Sequence, residues 1–155
     1  MRGYFGIGVF HAKTKQNIGT LLRSAEAFGA AFVFTVGPRF WKQASDVWAS
    51  WRRLPVYQYD DVTLLRASLP YSCPLIGVEL DGRAVPLSRF AFPQRGCYVL
   101  GAEDHGLSES VRRECHALVQ IPNATGCLNV AVAGSILMYA LRQDAAESAQ
   151  KAVSA

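Results

Sequence analysis

Three short stretches of the chain concentrate side chains that bind ligands or move protons. The first, His11 to Arg23, carries Lys13, Lys15, Asn17 and Arg23. The second, Gly101-Ala102-Glu103-Asp104-His105-Gly106-Leu107, sets two carboxylates and an imidazole between glycines. The third, Pro122-Asn123-Ala124-Thr125-Gly126-Cys127-Leu128-Asn129, adds a thiol and two carboxamides. Glycine lets a backbone approach a ligand closely, while Asn, Glu and Arg supply donors and acceptors. Any one of these stretches also reads as a plain turn after a strand. Three in one small chain point to a binding site. Cys127 with His105 as base would form a nucleophile pair, but no orienting third group or oxyanion site accompanies them. The familiar nucleotide signatures do not fit. Gly3-Tyr4-Phe5-Gly6-Ile7-Gly8 lies before or within a strand, whereas a dinucleotide-binding glycine loop follows a strand and opens a helix. No phosphate-binding G-x-x-x-x-G-K-S/T run occurs.

The elements that must hold these stretches alternate between short apolar runs and helical patterns. Tyr4 to Phe10 reads as a strand. Asn17 to Gly29 fits a helix, because Ile18, Leu21, Leu22, Ala25 and Phe28 recur at three- and four-residue steps. Asn17 is its natural N-cap and Gly29 its stop. Further strands are expected over Ala31 to Val36, Pro55 to Tyr59, Leu75 to Leu80, Gly96 to Leu100 and Ala117 to Ile121. Helices are expected over Asp60 to Leu69 with an Asp cap, from Ser108 as cap to about Glu114, and over Leu128 to Arg142. Strands joined by helical crossovers imply an α/β domain with a mostly parallel sheet flanked by helices. In such sheets ligands bind beyond the carboxyl ends of the strands, where all three stretches fall.

Composition narrows the partners. With 155 residues the chain has room for one domain, expected over 1–144, with 145–155 a weakly held tail. Half the residues are hydrophobic and 17 are aromatic, which excludes a mainly disordered chain. No apolar run reaches the roughly 18 residues of a membrane span, and no secretion signal is evident. Cys73, Cys97, Cys115 and Cys127 stand singly, so neither a zinc site nor any other metal is expected. Reduced thiols suit the cytoplasm. The net charge of +4 is uneven: residues 1–53 hold eight basic and two acidic residues, and the rest hold eight and ten. A basic first third favours a polyanionic partner.

Read together and in this order, the stretches resemble the SpoU/TrmH family of RNA methyltransferases, within the SPOUT superfamily. The first family motif resembles Asn17 to Gly29, the second Tyr98 to Leu107, and the third Ile121 to Ala133. The resemblance covers Tyr4 to Arg142. It implies a C-terminal trefoil knot, which periodicity alone does not reveal. It also implies S-adenosyl-L-methionine as cofactor, bound at Val78, Leu100, Gly101, Gly106, Ile121, Cys127 and Leu128. The implied reaction is methylation of a ribose 2′-hydroxyl in tRNA or rRNA. The alternatives are base methylation on the same fold, or a non-catalytic RNA-binding protein that keeps it.

The family's proposed catalytic arginine corresponds to Arg23, with Asn17, Glu103 and Asn129 as its companions in the motifs. A guanidinium stays protonated near neutrality, so Arg23 suits phosphate binding and alkoxide stabilisation; the proton's destination stays open. Its plainer alternative is a surface ion pair with Glu26 or Glu103. Asn129 is expected to tie the third loop through side-chain-to-backbone bonds. Cys127 departs from the serine usual in the family, which puts any hydroxyl-dependent role at that position in question. The resemblance further implies a homodimer in which Arg23 acts near the partner's cofactor. The apolar helix from Val130 fits either core burial or packing on another chain. With one domain, RNA would rest on the core itself, on Arg39, Lys42, Arg52 and Arg53 with Trp41, Trp48 and Trp51 between them.

Overall fold

The computed structural model describes residues 3–37 and 50–153. Seven parallel strands form one sheet: β1 (Tyr4–Phe10), β2 (Phe32–Val36), β3 (Val56–Tyr59), β4 (Leu75–Val78), β5 (Val85–Pro86), β6 (Arg95–Leu100) and β7 (Ala117–Gln120). Their order across the sheet is β3-β2-β1-β6-β4-β7-β5. Among the described residues four α-helices accompany them: α1 (Lys15–Ala27), α2 (Val62–Ser68), α3 (Glu109–Glu114) and α4 (Val130–Val153). The central strands are buried along nearly their whole length, which is why they read as continuous apolar runs.

Two apolar layers sandwich the sheet. On one face Phe5, Ile7 and Val9 of β1 pack with Ile18, Leu21 and Leu22 of α1 and Leu137 and Met138 of α4. On the other, Phe34, Val36, Cys97 and Val99 pack with Val62 and Leu65 of α2 and Val111 of α3. The glycines of β1 serve this packing. A Cβ on Gly6 would lie 2.2 Å from the Phe32 ring, and one on Gly8 2.4 Å from the Phe34 ring. The α1–α4 contact is equally close: a Cβ on Gly134 would meet Leu21 Cδ1 at 2.5 Å, and Ser135 Oγ lies 2.9 Å from Ser24 Oγ as donor.

Helix ends follow local chemistry with one exception. Asp61 caps α2 by accepting from Leu64 N at 2.9 Å, and Ser108 caps α3 by accepting from Val111 N at 3.4 Å. Gly29, at φ +68°, turns the chain after α1, and Arg142 from α4 donates to the Phe28 and Gly29 carbonyls there. The exception is Asn17, expected as the N-cap of α1. Thr14 occupies that position, and Asn17 sits inside the first turn with its side chain turned to another loop.

Helix α4 is buried on one side, exposed on another, and longer than its apolar pattern. Val132, Ile136 and Tyr139 are 49%, 38% and 57% exposed, so an apolar stripe on one side lies uncovered by its own chain. The helix also continues beyond Asp144 to Val153, through the segment expected as a tail, with its side chains exposed from Arg142 to Ala152. Strand β5, only two residues long, is too short to leave a periodic signal in the sequence. No helix among the described residues is long and apolar enough to cross a membrane.

Candidate active site

The carboxyl ends of β1, β6, β4 and β7 are neighbours in the sheet, so the segments that follow them meet at one edge. There a cavity of about 300 Å³ opens, at the lower end of the range for small-ligand sites. Val78 and Leu100, the last residues of β4 and β6, form its floor with Ile121 just after β7. Gly101, Gly106, Cys127 and Leu128 complete the set of seven positions singled out from the sequence, and all seven line this cavity. The walls mix the aliphatic Val78, Leu100, Ile121 and Leu128 with the glycines Gly101, Gly106 and Gly126.

The second loop keeps its shape through a tight backbone bridge. Ala102 N donates to Gly106 O at 3.3 Å, and Gly106 N donates to Ala102 O at 2.9 Å. Gly106 has φ +61°, and a Cβ on Gly101 would lie 2.2 Å from the Gly106 carbonyl carbon. Both positions therefore require glycine.

A chain of side-chain hydrogen bonds links the three loops. Asn129 Nδ2 donates to Asn17 Oδ1 at 2.9 Å, and Asn17 Nδ2 donates to Glu103 Oε1 in a short contact. Glu103 also accepts from Thr14 Oγ1 at 3.5 Å and from Lys13 N at 3.4 Å. Asn129 Oδ1 accepts from Ala131 N and Val132 N at 2.9 and 3.2 Å, so it caps α4 as well. Cys127 Sγ, exposed, donates to the Glu103 carbonyl at 3.6 Å. Lys13 pairs with Asp104, whose carboxyl it holds below the usual carboxylate range. His105 Nε2 lies 3.1 Å from the same Asp104 oxygen.

Arg23 stands apart from this cluster. Six residues beyond Asn17, it is rotated by about 240° around the helix and displaced by roughly 9 Å along it. It is exposed and does not line the cavity of its own chain. Nor does it take either carboxylate that a surface ion pair would need. Arg53 grips Glu26 with two nitrogens and drives its carboxyl down to about 2. Glu103 is held by Asn17 instead.

Of the basic residues expected at an RNA surface, Arg53 is thus committed to Glu26, and Arg52 lies over the Trp51 ring at 5.1 Å. Arg39 and Lys42, with Trp41 and Trp48, lie outside the described residues. Among the lining residues that the sequence reading did not assign to the site is Glu79. The strand was expected to reach Leu80 but ends at Val78, which puts the Glu79 carboxylate at the cavity wall. A carboxylate at the end of an otherwise apolar run was the available signal. Among the described residues no cluster of three metal-ligating side chains occurs.

The fold and cavity define a parallel α/β domain with an open cavity among the loops at its strand ends. The model of the SpoU rRNA Methylase family matches residues 5–139, and the chain belongs to that family. It is 28% identical over 146 residues to an uncharacterized tRNA/rRNA methyltransferase of Archaeoglobus fulgidus, covering 90% of this chain and 64% of that protein. It is 29% identical over 136 residues to the 23S rRNA (guanosine-2'-O-)-methyltransferase RlmB of Acinetobacter baylyi, covering 80% of this chain and 53% of that one. The chain therefore spans just over half to under two-thirds of these relatives' length. Among solved structures, the SpoU methyltransferase AviRb of Streptomyces viridochromogenes in complex with AdoMet superposes with a TM-score of 0.79 at 25% identity, covering 92% of this chain and 58% of that one.

Proposed function

We propose that this protein is an S-adenosyl-L-methionine-dependent RNA methyltransferase acting on a ribose 2′-hydroxyl of tRNA or rRNA. The observation that carries this reading is the cavity ringed by Val78, Leu100, Gly101, Gly106, Ile121, Cys127 and Leu128, with the Asn129–Asn17–Glu103 chain at its edge. The residues fit the cofactor: an adenine takes an apolar slot, and Gly101 and Gly106 leave backbone where a Cβ could not stand. When bound, S-adenosyl-L-methionine supplies an electrophilic methyl group on a sulfonium.

The chain's own residues would then position the acceptor. Arg23 binds an RNA phosphate bidentately and stabilises negative charge developing on the ribose oxygen, both suited to a fixed guanidinium charge. Glu103, Asn17 and Asn129 hold the three loops in register, so that hydroxyl and methyl donor meet in line. Because Arg23 lies outside its own chain's cavity, it serves the cavity of a second copy in a homodimer. The stripe Val132, Ile136 and Tyr139 supports that arrangement. It is apolar, exposed, and runs along the helix whose Val130 and Ala133 line the cavity. The C-terminal trefoil knot, RNA docking on the basic first third and a cytoplasmic location belong to the same reading.

Two measurements test it. Calorimetry should detect S-adenosyl-L-methionine binding, and nucleoside mass spectrometry of RNA from a deletion strain should lack one 2′-O-methylated nucleoside. No binding at millimolar cofactor would refute the enzyme and favour a non-catalytic RNA-binding protein. A missing base methylation would refute the ribose assignment.

A further inference from the structure

Three carboxylates line the cavity: Glu79, Glu103 and Asp104. Two of them are engaged by side chains. Asp104 is neutralised by Lys13, and Glu103 is held by Asn17 and Thr14. Glu79 is different. Its oxygens accept from backbone amides, Leu80 N at 3.1 Å and Leu107 N at 2.5 Å, and no basic side chain pairs with it among the described residues. Neutral amides fix where the charge sits without cancelling it. The second loop is laid directly on this group, since a Cβ on Gly106 would lie 2.2 Å from Glu79 Oε2. Glu79 is also half-buried, so water screens its charge incompletely.

We propose that Glu79 is the charge-selective residue of the cavity, favouring a cationic ligand over the neutral product of the same shape. The inference rests on reading the cavity as an S-adenosyl-L-methionine site. That cofactor and its demethylated product, S-adenosyl-L-homocysteine, share the adenosine and the amino-acid zwitterion. They differ by one methyl group and the sulfonium charge. A fixed negative charge at the wall therefore tightens the cofactor, leaves the product's affinity nearly unchanged, and helps the product leave. Across a small, half-wet cavity one such charge is worth about tenfold in affinity.

The test is calorimetry of the full chain and its E79Q variant with both compounds. Gln keeps the shape and one amide-accepting oxygen but removes the charge. The expected result is about a tenfold loss for S-adenosyl-L-methionine and less than about a threefold change for S-adenosyl-L-homocysteine. E79D, which keeps the charge, should preserve the ratio of the two affinities even where both weaken. In the unmodified protein that ratio should fall as salt rises from about 0.05 to about 0.5 M, a readout independent of how any variant folds. Equal weakening of both compounds by E79Q, or a ratio indifferent to salt, overturns the assignment and leaves Glu79 as a loop strut. If the unmodified protein binds neither compound, the cofactor reading falls and this assignment with it.

Discussion

Asn129 offers the sharpest separation between holding the fold and organising the site, because its two side-chain atoms do different things. Oδ1 caps α4 through Ala131 N and Val132 N, while Nδ2 reaches across 112 residues of sequence to Asn17 Oδ1. Asn129→Ala removes both. Loss of the cap costs about 1 kcal/mol, and loss of the exposed 2.9 Å link about another 1 kcal/mol. For a domain of this size the sum lowers Tm by about 4–8 °C. Asn129→Asp keeps the capping oxygen and places a negative charge at a helix N-terminus, which is favourable by about 0.5 kcal/mol. It loses only the donor to Asn17, so its Tm should stay within about 3 °C of the parent. Methyl transfer should nevertheless fall in both variants, since Asn17 and through it Glu103 lose an anchor. Thermal melts by circular dichroism and methyl incorporation into RNA at saturating cofactor provide the two readouts. If Asp destabilises as much as Ala, the cap is not where the stability lies. If Asp transfers methyl groups at the parental rate, the link to Asn17 has no part in the chemistry.

Other consequences are equally direct. Arg23→Ala should abolish transfer while cofactor affinity by calorimetry stays within about twofold, because Arg23 does not line its own chain's cavity; a variant that still methylates would remove Arg23 from the mechanism. Ile136→Asp places a charge in the exposed stripe of α4 and should yield a monomer by sedimentation with transfer lost and the fold retained; a variant that remains dimeric would dissociate that stripe from the interface. Cys127→Ser supplies a stronger donor to the Glu103 carbonyl and should keep or raise activity; an inactive serine variant would mean that the thiol itself is required. Arg53 holds the Glu26 carboxyl at about 2, below the ordinary 4.5 of a glutamate. Its folded-state value is depressed, so the stabilisation is present above about pH 4.5 and is lost as pH falls toward 2. The melting difference between the parent and Glu26→Gln should accordingly shrink over that window; a difference that stays constant would refute the pairing.

Much of the scaffold was legible because its causes are local. Buried parallel strands need unbroken apolar runs, and β1, β4 and β6 have them. Asp61 and Ser108 cap α2 and α3 because capping involves a side chain and a backbone amide only three residues away. Asn17 shows where such reasoning fails. Its sequence position suits a cap, but Glu103, 86 residues further on, offers a charged acceptor, and the helix begins one turn earlier instead. The Arg53–Glu26 pair is equally non-local: nothing near Arg53 in sequence announces Glu26 as its partner.

By itself the sequence determined the α/β class, the three loops and the residue types able to serve a ligand, since periodicity and turn chemistry act over a few residues. Only the tertiary structure decided which of those residues meet. The strand order sets the ends of β1, β6, β4 and β7 side by side, and so joins Asn129, Asn17 and Glu103 while leaving Arg23 on the outer face of α1. It also turned Glu79 from the end of an apparent strand into a charged wall of the cavity. The physical reason is common to all of these. A hydrogen bond or a cavity depends on distances in space, and between residues dozens of positions apart those distances are set by how strands pair and helices pack.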